Sequence, residues 1–208
     1  MAQFFGIHPD NPQPRLIRQA TQIVREGGVI VYPTDSAYAI ACQVQDKDGL
    51  ERIRRVRQVD KEHHFTLVCR DLSELATYAR VDNSQFRLLK ANTPGPYTFI
   101  LQATKEVPRR LMHPKRRSIG LRVPENPIAR ALLEDLNEPL MSSTLILPGD
   151  PLPMTDPREI REALEHQVDL VIDGGFCGLE PTTVVDLTGE TPVVLREGRG
   201  PVETLAGG

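Results

Sequence analysis

The 208-residue chain carries 25 Lys and Arg against 28 Asp and Glu, and its net charge of −3 argues against a generic nucleic-acid binder while leaving local basic patches possible. A chain of this length with 39% hydrophobic residues can bury a stable core without disulfides or metals. Its three cysteines lie far apart and predict reduced thiols in a cytoplasmic protein. Short apolar runs and an N-terminus without a long apolar segment predict neither a membrane span nor a signal peptide.

The first half of the chain alternates strand and helix patterns. Apolar spacing and turn residues predict, in order, an edge strand at 4–7, a helix at 15–26, a strand at 29–32, a helix at 46–57, a strand at 65–69, and two helices that begin after Asp71 and at Asp82 or Asn83. Gly27-Gly28 ends the first helix.

The second half contains more strands than helices. Strands are predicted at 97–103, 118–123, 140–146, 169–172, 182–187 and 191–196, with helices that begin at Asn126 and Asp156, and the tail from Gly198 is expected to be loosely held. Strands and helices interleave without a repeat or a linker, which predicts one α/β domain over 1–208 with its core at about 12–200. The terminal hairpin makes the expected sheet a twisted, open and mixed one, with helices packed on it.

A polar cluster follows the strand at 29–32. Pro33 ends that strand, and Thr34, Asp35, Ser36 and Tyr38 come directly after it. Polar groups at a strand end are how open α/β sheets build ligand sites, but a Thr-Asp pair also caps ordinary turns. The residues alone leave both interpretations open.

Three familiar catalytic patterns are absent from the sequence. It has no phosphate loop of the Gly-x-x-x-x-Gly-Lys-Ser/Thr type, no Gly-x-Gly-x-x-Gly and no Gly-x-Ser-x-Gly. His63-His64 is the one histidine pair, and no acid or cysteine is spaced to complete a zinc site. We therefore expect no metal ligands and interpret the pair as part of a solvated loop.

Small hydroxyl groups and arginines recur near the ends of the predicted strands. They are Ser36, Ser118, Arg122, Ser142, Thr144, Thr182, Thr183 and Arg196. Such groups bind carboxylates and phosphates. Threonine is also common in strands for its shape alone, so no single member identifies a site.

Several blocks of the chain resemble the YrdC/YciO family in the same order. They span Pro33–Cys42, Thr93–Leu101, Gly120–Ala129, Asp173–Gly175, Pro181–Thr188 and Leu195–Gly198. The resemblance implies a YrdC-like fold and the family's reaction, in which L-threonine, bicarbonate and ATP with Mg²⁺ give threonylcarbamoyl-AMP and pyrophosphate. That product serves the t6A modification of tRNA.

The resemblance also implies roles for particular residues. Ser36, Arg122, Ser142 and Thr182 resemble the threonine pocket, and Arg57, Ser118, Thr144 and Arg196 resemble the ATP side. No side chain is assigned as catalytic, because a carbamate nucleophile needs no activated side chain. Positioning and electrostatic stabilisation of the phosphates would carry the reaction.

Three departures from the synthase pattern bring the chain nearer to the YciO branch. The family's Lys-x-Arg is here Arg57-Gln58-Val59, its Lys-Pro is His63-His64, and its Ser-x-Asn is Thr144-Leu145-Ile146. Each lost charged contact to a phosphate costs on the order of 2–4 kcal/mol. Whether the protein is an enzyme thus stays undecided, and two alternatives are a non-catalytic RNA binder and an enzyme acting on threonylcarbamoyl groups already on tRNA.

A basic segment occupies positions 105–117. Its cations are Lys105, Arg109, Arg110, Lys115, Arg116 and Arg117, against one acid, Glu106. A run of charge is commonly a solvated surface. The family resemblance, however, implies binding of tRNA or double-stranded RNA on a concave basic surface, and cations with few aromatic neighbours suit contacts to a phosphate backbone.

Overall fold

The computed structural model describes residues 1–60 and 62–205, and within them ten strands form one open mixed sheet. The strands are β1 (Gln3–Gly6), β2 (Ile30–Tyr32), β3 (Ala39–Gln43), β4 (Thr66–Val68), β5 (Tyr97–Gln102), β6 (Ser118–Arg122), β7 (Leu140–Thr144), β8 (Leu170–Asp173), β9 (Thr183–Asp186) and β10 (Val193–Arg196). Their order across the sheet is β1-β8-β2-β3-β7-β4-β6-β5-β9-β10. The α/β fold with an open mixed sheet is confirmed.

Six α-helices pack on this sheet within the described residues. They are α1 (Pro14–Arg25), α2 (Lys47–Arg57), α3 (Leu72–Tyr78), α4 (Asn83–Asn92), α5 (Pro127–Leu136) and α6 (Pro157–Leu164). Side chains of Asp46, Asp71, Asp82, Asn126 and Asp156 accept backbone N–H groups at the starts of α2 to α6. Asp82 rather than Asn83 caps α4, where Gln85 completes a capping box.

Strand direction changes repeatedly across the sheet. The pairs β1–β8, β2–β8, β4–β6 and β5–β9 are parallel. The pairs β2–β3, β3–β7, β4–β7, β5–β6 and β9–β10 are antiparallel. The C-terminal hairpin expected from the sequence is the β9–β10 pair.

The two faces of the sheet are covered unequally. Helices α2, α3, α4 and α6 pack on one face, in the larger of two cores, which includes Ile40, Phe65, Phe99 and Leu121. Helices α1 and α5 pack on the other face, mainly against β8, β2 and β3, in a second core that contains no residue of β5, β6, β9 or β10. This second face is therefore left without an apolar cover over those four strands.

One strand was not expected from the sequence. Residues 39–43 form β3, which lies in the middle of the sheet between β2 and β7. Both of its faces are covered, so its residues are apolar without alternation and look like the continuation of a turn. Its small residues Ala39 and Ala41 pack beneath the α1 and α5 side of the sheet.

The expectation of a loose tail from Gly198 was wrong for residues 198–205, and residues 206–208 lie outside the described part of the chain. Gly200 and Leu205 are buried, and a short 3₁₀ turn spans Glu203–Leu205. The Thr183 hydroxyl donates to the Gly200 carbonyl at 2.6 Å, and the Tyr97 hydroxyl donates to that of Pro201 at 2.7 Å. These bonds join residues far apart in sequence, which is why local patterns did not reveal them. In the described residues, no helix has the length and apolarity needed to cross a membrane.

Candidate substrate-binding site

A cavity of about 370 Å³ lies over the part of the sheet that α1 and α5 leave uncovered. Strands β4, β5, β6, β7, β9 and β10 or the residues next to them form its floor, and Arg57 and residues 62–64 contribute to its wall. A recess of about 30 Å³ continues towards Tyr32, Arg122 and Ser142. Thr66, Thr98 and Thr182 border both spaces.

Small side chains make up the floor of the cavity. Gly120 lies between Thr66 and Thr98, and a β-carbon at Gly120 would stand 3.2 Å from Thr66 Oγ1 and 3.2 Å from Thr98 Cγ2. The hydroxyls of Thr98 and Thr182 are hydrogen bonded at 2.7 Å. Because strand side chains alternate between faces, these residues face the cavity while Phe99 and Leu121 face the larger core.

Arg57 enters the cavity from the last position of α2. The helix ends there because Gln58 takes the left-handed conformation, with φ of 50°. Arg57 Nη1 donates to Ser143 Oγ and to the Thr144 carbonyl, each at 2.5 Å. Partial burial lowers the pKa of the Arg57 guanidinium, yet an arginine stays charged in proteins.

Arg196 supplies a second cation at the opposite side of the floor. Its Nε and Nη2 donate to the Thr182 carbonyl at 3.0 and 2.8 Å. The β9–β10 register shifts between Val194 and Arg196, an irregularity of the kind that redirects side chains next to sites. Burial lowers the pKa of this guanidinium as well. The two bonds to the Thr182 carbonyl hold the guanidinium at the cavity wall.

Arg122 ends β6 and borders the recess. It is buried, donates from Nη1 to Ser36 Oγ at 3.1 Å, and forms an ion pair through Nη2 with Asp35. Asp35 Oδ2 also accepts the Glu125 backbone N–H at 3.1 Å. The polar cluster after β2 is therefore a turn that also contacts the site, so its two interpretations are compatible. The sequence placed Asp35 in this cluster but gave no sign of its ion pair with Arg122.

The turn itself is held by Thr34. Its Oγ1 accepts the backbone N–H groups of Ser36 and Ala37, both at 3.1 Å. This is the local capping pattern that threonine favours in turns. It fixes the position from which Ser36 reaches Arg122.

Among the residues assigned by resemblance, some line the main cavity, some border the recess, and Ser118 borders neither. Arg57, Thr144, Thr182 and Arg196 line the main cavity, while Arg122, Ser142, Thr144 and Thr182 border the recess. Ser142 Oγ is hydrogen bonded to the Tyr32 hydroxyl at 2.9 Å. Ser118 belongs to β6 with Gly120 but borders neither space, and its buried Oγ has no hydrogen-bond partner in the described chain.

His63 and His64 line the cavity from a loop. His64 is exposed, as expected for a solvated loop, whereas His63 is partly buried. Burial, with help from the Arg57 charge, lowers the pKa of His63 to about 4. Burial also lowers the pKa of His64, whose ring stacks on His113 with centroids 5.2 Å apart. His63 Nε2 lies 3.2 Å from Ser143 Oγ. The His63 ring is consequently neutral near pH 7. The described residues contain no group of three or more His, Cys, Asp or Glu placed to hold a metal ion.

The sequence gave no role to Thr66 or Thr98, which also line the cavity. A signal for both was present. Thr66 and Thr98 are polar residues inside otherwise apolar strands, at positions that alternate with core residues. Ile146, where the family pattern has an asparagine, follows β7 and lines the cavity as well.

The family model described as "Telomere recombination", which covers Sua5, YciO and YrdC proteins, matches residues 22–198. The chain belongs to the Sua5/YciO/YrdC family. Escherichia coli K12 YciO is 64% identical over 203 residues, which cover 98% of each chain. The threonylcarbamoyl-AMP synthase of Pyrococcus abyssi is 28% identical over 192 residues, 91% of this chain and 56% of that protein.

Solved structures of Sua5/YciO/YrdC proteins have the same fold. The crystal structure of E. coli YciO superposes with a TM-score of 0.96 at 63% identity, covering 99% of this chain and 100% of that one. P. abyssi Sua5 complexed with L-threonine superposes with a TM-score of 0.88 at 25% identity, covering 96% of this chain and 58% of that one. The chain is thus similar to a YciO over nearly its whole length, and a synthase relative shares the fold at lower identity.

Proposed function

We propose that this protein, like the threonylcarbamoyl-AMP synthases in its family, binds L-threonine and ATP in the cavity and forms threonylcarbamoyl-AMP. The observation that carries this proposal is the convergence of two held arginines, Arg57 and Arg196, on a hydroxyl-rich floor. Guanidinium forks and hydroxyls suit phosphates and carboxylates. The volume of about 370 Å³ lies in the range of small-molecule sites.

The proposed reaction has two balanced steps. The amino group of threonine and bicarbonate give a carbamate and water. A carbamate oxygen then attacks the α-phosphorus of ATP, and the bond to pyrophosphate breaks. The negative charge that develops on the phosphates is stabilised by fixed cations, here Arg57 and Arg196, together with the Mg²⁺ that accompanies ATP as substrate.

Each residue assigned by resemblance has a matching chemical capacity. Arg122, Ser36, Ser142 and Thr182 surround the recess or contact its arginine, and we assign them to the carboxylate and hydroxyl of threonine. Thr144 is assigned with the two arginines to the ATP side. Ser118 is retained as a candidate for the ATP side on resemblance, although it borders neither space.

The departures from the synthase pattern predict a weak activity. His63 stands where the family pattern has a lysine, and its pKa of about 4 leaves it uncharged near pH 7. Ile146 presents an apolar side chain where the pattern has an amide. Val59 packs against the larger core. Two cavity contacts to phosphate are therefore missing relative to the synthase pattern.

The test is a direct assay of product. Purified protein is incubated with labelled L-threonine, bicarbonate and MgATP, and the adenylate and pyrophosphate are separated and quantified. Formation of both above a blank, and its loss in the Arg57→Ala and Arg196→Ala variants, is expected. Equal product in the blank and in the presence of protein would overturn the proposal.

A second candidate function is RNA binding by the basic segment, with tRNA as the expected partner and the cytoplasm as the expected location. The observation that favours it is that Lys105, Arg109 and Arg117 are exposed and make no hydrogen bond or ion pair through their side chains in the described structure. Filter binding of tRNA should weaken steeply as salt rises. Binding that is weak at low salt and insensitive to salt would discard this candidate.

A further inference from the structure

A second cavity, of about 530 Å³, lies beside the end of β5 and the turn that leads into β6. It shares no lining residue with the substrate cavity. Four cationic residues line it: Arg80, Lys105, Arg109 and Arg117. Val107 and Met112 add an apolar part to its wall. It is a separate space with its own chemistry.

Positive charge in this cavity is not compensated by its own lining. None of the residues that line it is a carboxylate. Arg80, Lys105, Arg109 and Arg117 are all exposed, and in residues 1–60 and 62–205 their side chains form no hydrogen bond or ion pair with the protein. Like charges that converge on one space favour an anion from solution.

The cluster is a spatial set rather than the charge run seen in the sequence. Arg110 of that run donates to the Val44 carbonyl at 3.2 Å, and Arg116 forms an ion pair with Asp186 at 3.8 Å. Arg80 joins from a distant part of the chain. Its backbone N–H donates to the Gln102 carbonyl at 2.9 Å, next to a bridge between Ala79 and Ala103.

Arg117 is held at this cavity in an unfavourable backbone conformation. Its φ is 53°, in the left-handed region that is unfavourable for a residue with a β-carbon. The turn that imposes it is closed by two bonds of 2.9 Å, from Arg117 N to the His113 carbonyl and from His113 N to the Ser118 carbonyl. A strained residue that presents a cation to a cavity is consistent with a binding role.

We propose that this cavity, through Arg80, Lys105, Arg109 and Arg117, binds an anion that carries two or more phosphate groups. Guanidinium forks match phosphate oxygens in pairs, and three of the four cations are arginines. The volume exceeds the space of one phosphate and suits a chain of them. The source is either a free polyphosphate chain or the backbone of an RNA. The site does not depend on the synthase reaction. It shares Lys105, Arg109 and Arg117 with the RNA-binding candidate, and its RNA outcome rests on that candidate.

The experiment compares the Arg80→Ala, Arg117→Ala double variant with an Arg18→Ala control, in which an exposed arginine of α1 is lost far from this cavity in the fold. Tripolyphosphate is titrated by calorimetry, in the wild type and in an Arg196→Ala background that weakens the first cavity. A tRNA is titrated by filter binding across salt. The double variant should bind at least one probe tenfold or more weakly, and the salt slope for tRNA should fall by about 1 to 2.

The outcomes separate the sources. Loss of tripolyphosphate binding assigns the site to a free anion, and loss of tRNA binding alone assigns it to an RNA backbone. Binding of both probes equal to that of Arg18→Ala, or no binding of either probe by the wild type, overturns the proposal. Threonylcarbamoyl-AMP formation is measured in parallel and should not change, so failure of the first site is distinguishable from failure of the second.

The variants are expected to fold, because exposed side chains without partners contribute little to stability. If the double variant melts at a lower temperature, probe binding is measured instead on the Arg109→Ala single variant. Its side chain is exposed, lines the cavity from the short 3₁₀ helix Arg109–Leu111, and lies outside the strained turn. A tenfold loss of probe binding in Arg109→Ala supports the site, and wild-type binding overturns it.

Discussion

Arg122 and Asp35 form a buried ion pair beside the recess, with side chains only 8% and 14% exposed. Removing one partner leaves a buried charge uncompensated, which costs about 3–5 kcal/mol. We therefore predict that Asp35→Ala lowers the free energy of unfolding in urea by about that amount. Asp35→Asn should lose less, because its amide oxygen still accepts a hydrogen bond.

The double variant Asp35→Ala, Arg122→Met is the control for this pair. Removing both charges should cost less than the sum of the two single losses, because neither charge is then left alone. Additive losses would contradict the coupling. The same pair predicts that a ligand carboxylate in the recess shares Arg122 with Asp35 rather than finding it free.

We predict that replacing Arg196 affects MgATP binding far more than the stability of the fold. Arg196→Ala removes its bonds to the Thr182 carbonyl, so unfolding free energy should fall by about 1–2 kcal/mol. The increase in melting temperature produced by MgATP should disappear altogether. Arg196→Lys keeps the charge but not the fork and should recover only part of that increase. A melting temperature that falls sharply while the MgATP shift persists would mean that Arg196 is structural.

His63 predicts a pH dependence of stability. Its folded-state pKa of about 4 lies below the ordinary value near 6.5, so the unfolded chain binds more protons between these two values. Stability contributed by the neutral ring is complete above about pH 6.5 and is lost as the pH falls towards 4. The upper limit of the slope is about 1.4 kcal/mol per pH unit, and solvent at the partly exposed ring reduces it.

Urea unfolding of His63→Gln between pH 4 and 7.5 tests this prediction. The variant should show a shallower pH dependence than the wild type in that window. His166→Gln is the matched control, because the side chain of His166 is 75% exposed. Parallel curves for the wild type and His63→Gln would show that His63 titrates normally.

We predict opposite outcomes for two substitutions that bring back residues of the synthase pattern, one at Ile146 and one at Val59. Ile146 lines the cavity, so Ile146→Asn places an amide at the ligand and should raise adenylate formation. Val59 packs against the larger core, so Val59→Arg should destabilise the protein without a matching gain. Activity and thermal melting are measured on each variant and on the pair. A folded Ile146→Asn protein with no increase in product would mean that the cavity serves another ligand.

Local chemistry predicted most of the elements. Asp46, Asp71, Asn126 and Asp156 cap helices where the sequence placed starts, and the spacing of apolar residues predicted nine of the ten strands among the described residues. The missed strand, β3, is buried on both faces and lacks the alternation that identifies a strand. The tail was missed because hydroxyls of Tyr97 and Thr183, distant in sequence, hold it.

The candidate site was predictable only in part, for a related reason. Arg57, Thr144, Thr182 and Arg196 were expected and do meet at one cavity. Their meeting depends on sheet order, in which β7, β4, β6, β5 and β9 are neighbours although the chain visits them in another sequence. His63 reaches the cavity beside Ser143 and Arg57, and Arg80 reaches the second cavity next to the bridge between Ala79 and Ala103. Neither relationship has a local signature.

Gly120 and the threonines around it form the floor of the site. They are packed so closely that even one added methyl group at Gly120 would crowd its neighbours. Ligand preference can therefore diverge in this fold by exchange of single atoms and methyl groups, while the backbone stays where the larger core holds it. Relatives with nearly superposable chains can then differ in chemistry, and overall shape alone is a poor guide to which molecule each one accepts. Comparison of the floor residues across relatives is the more informative measure of shared substrates.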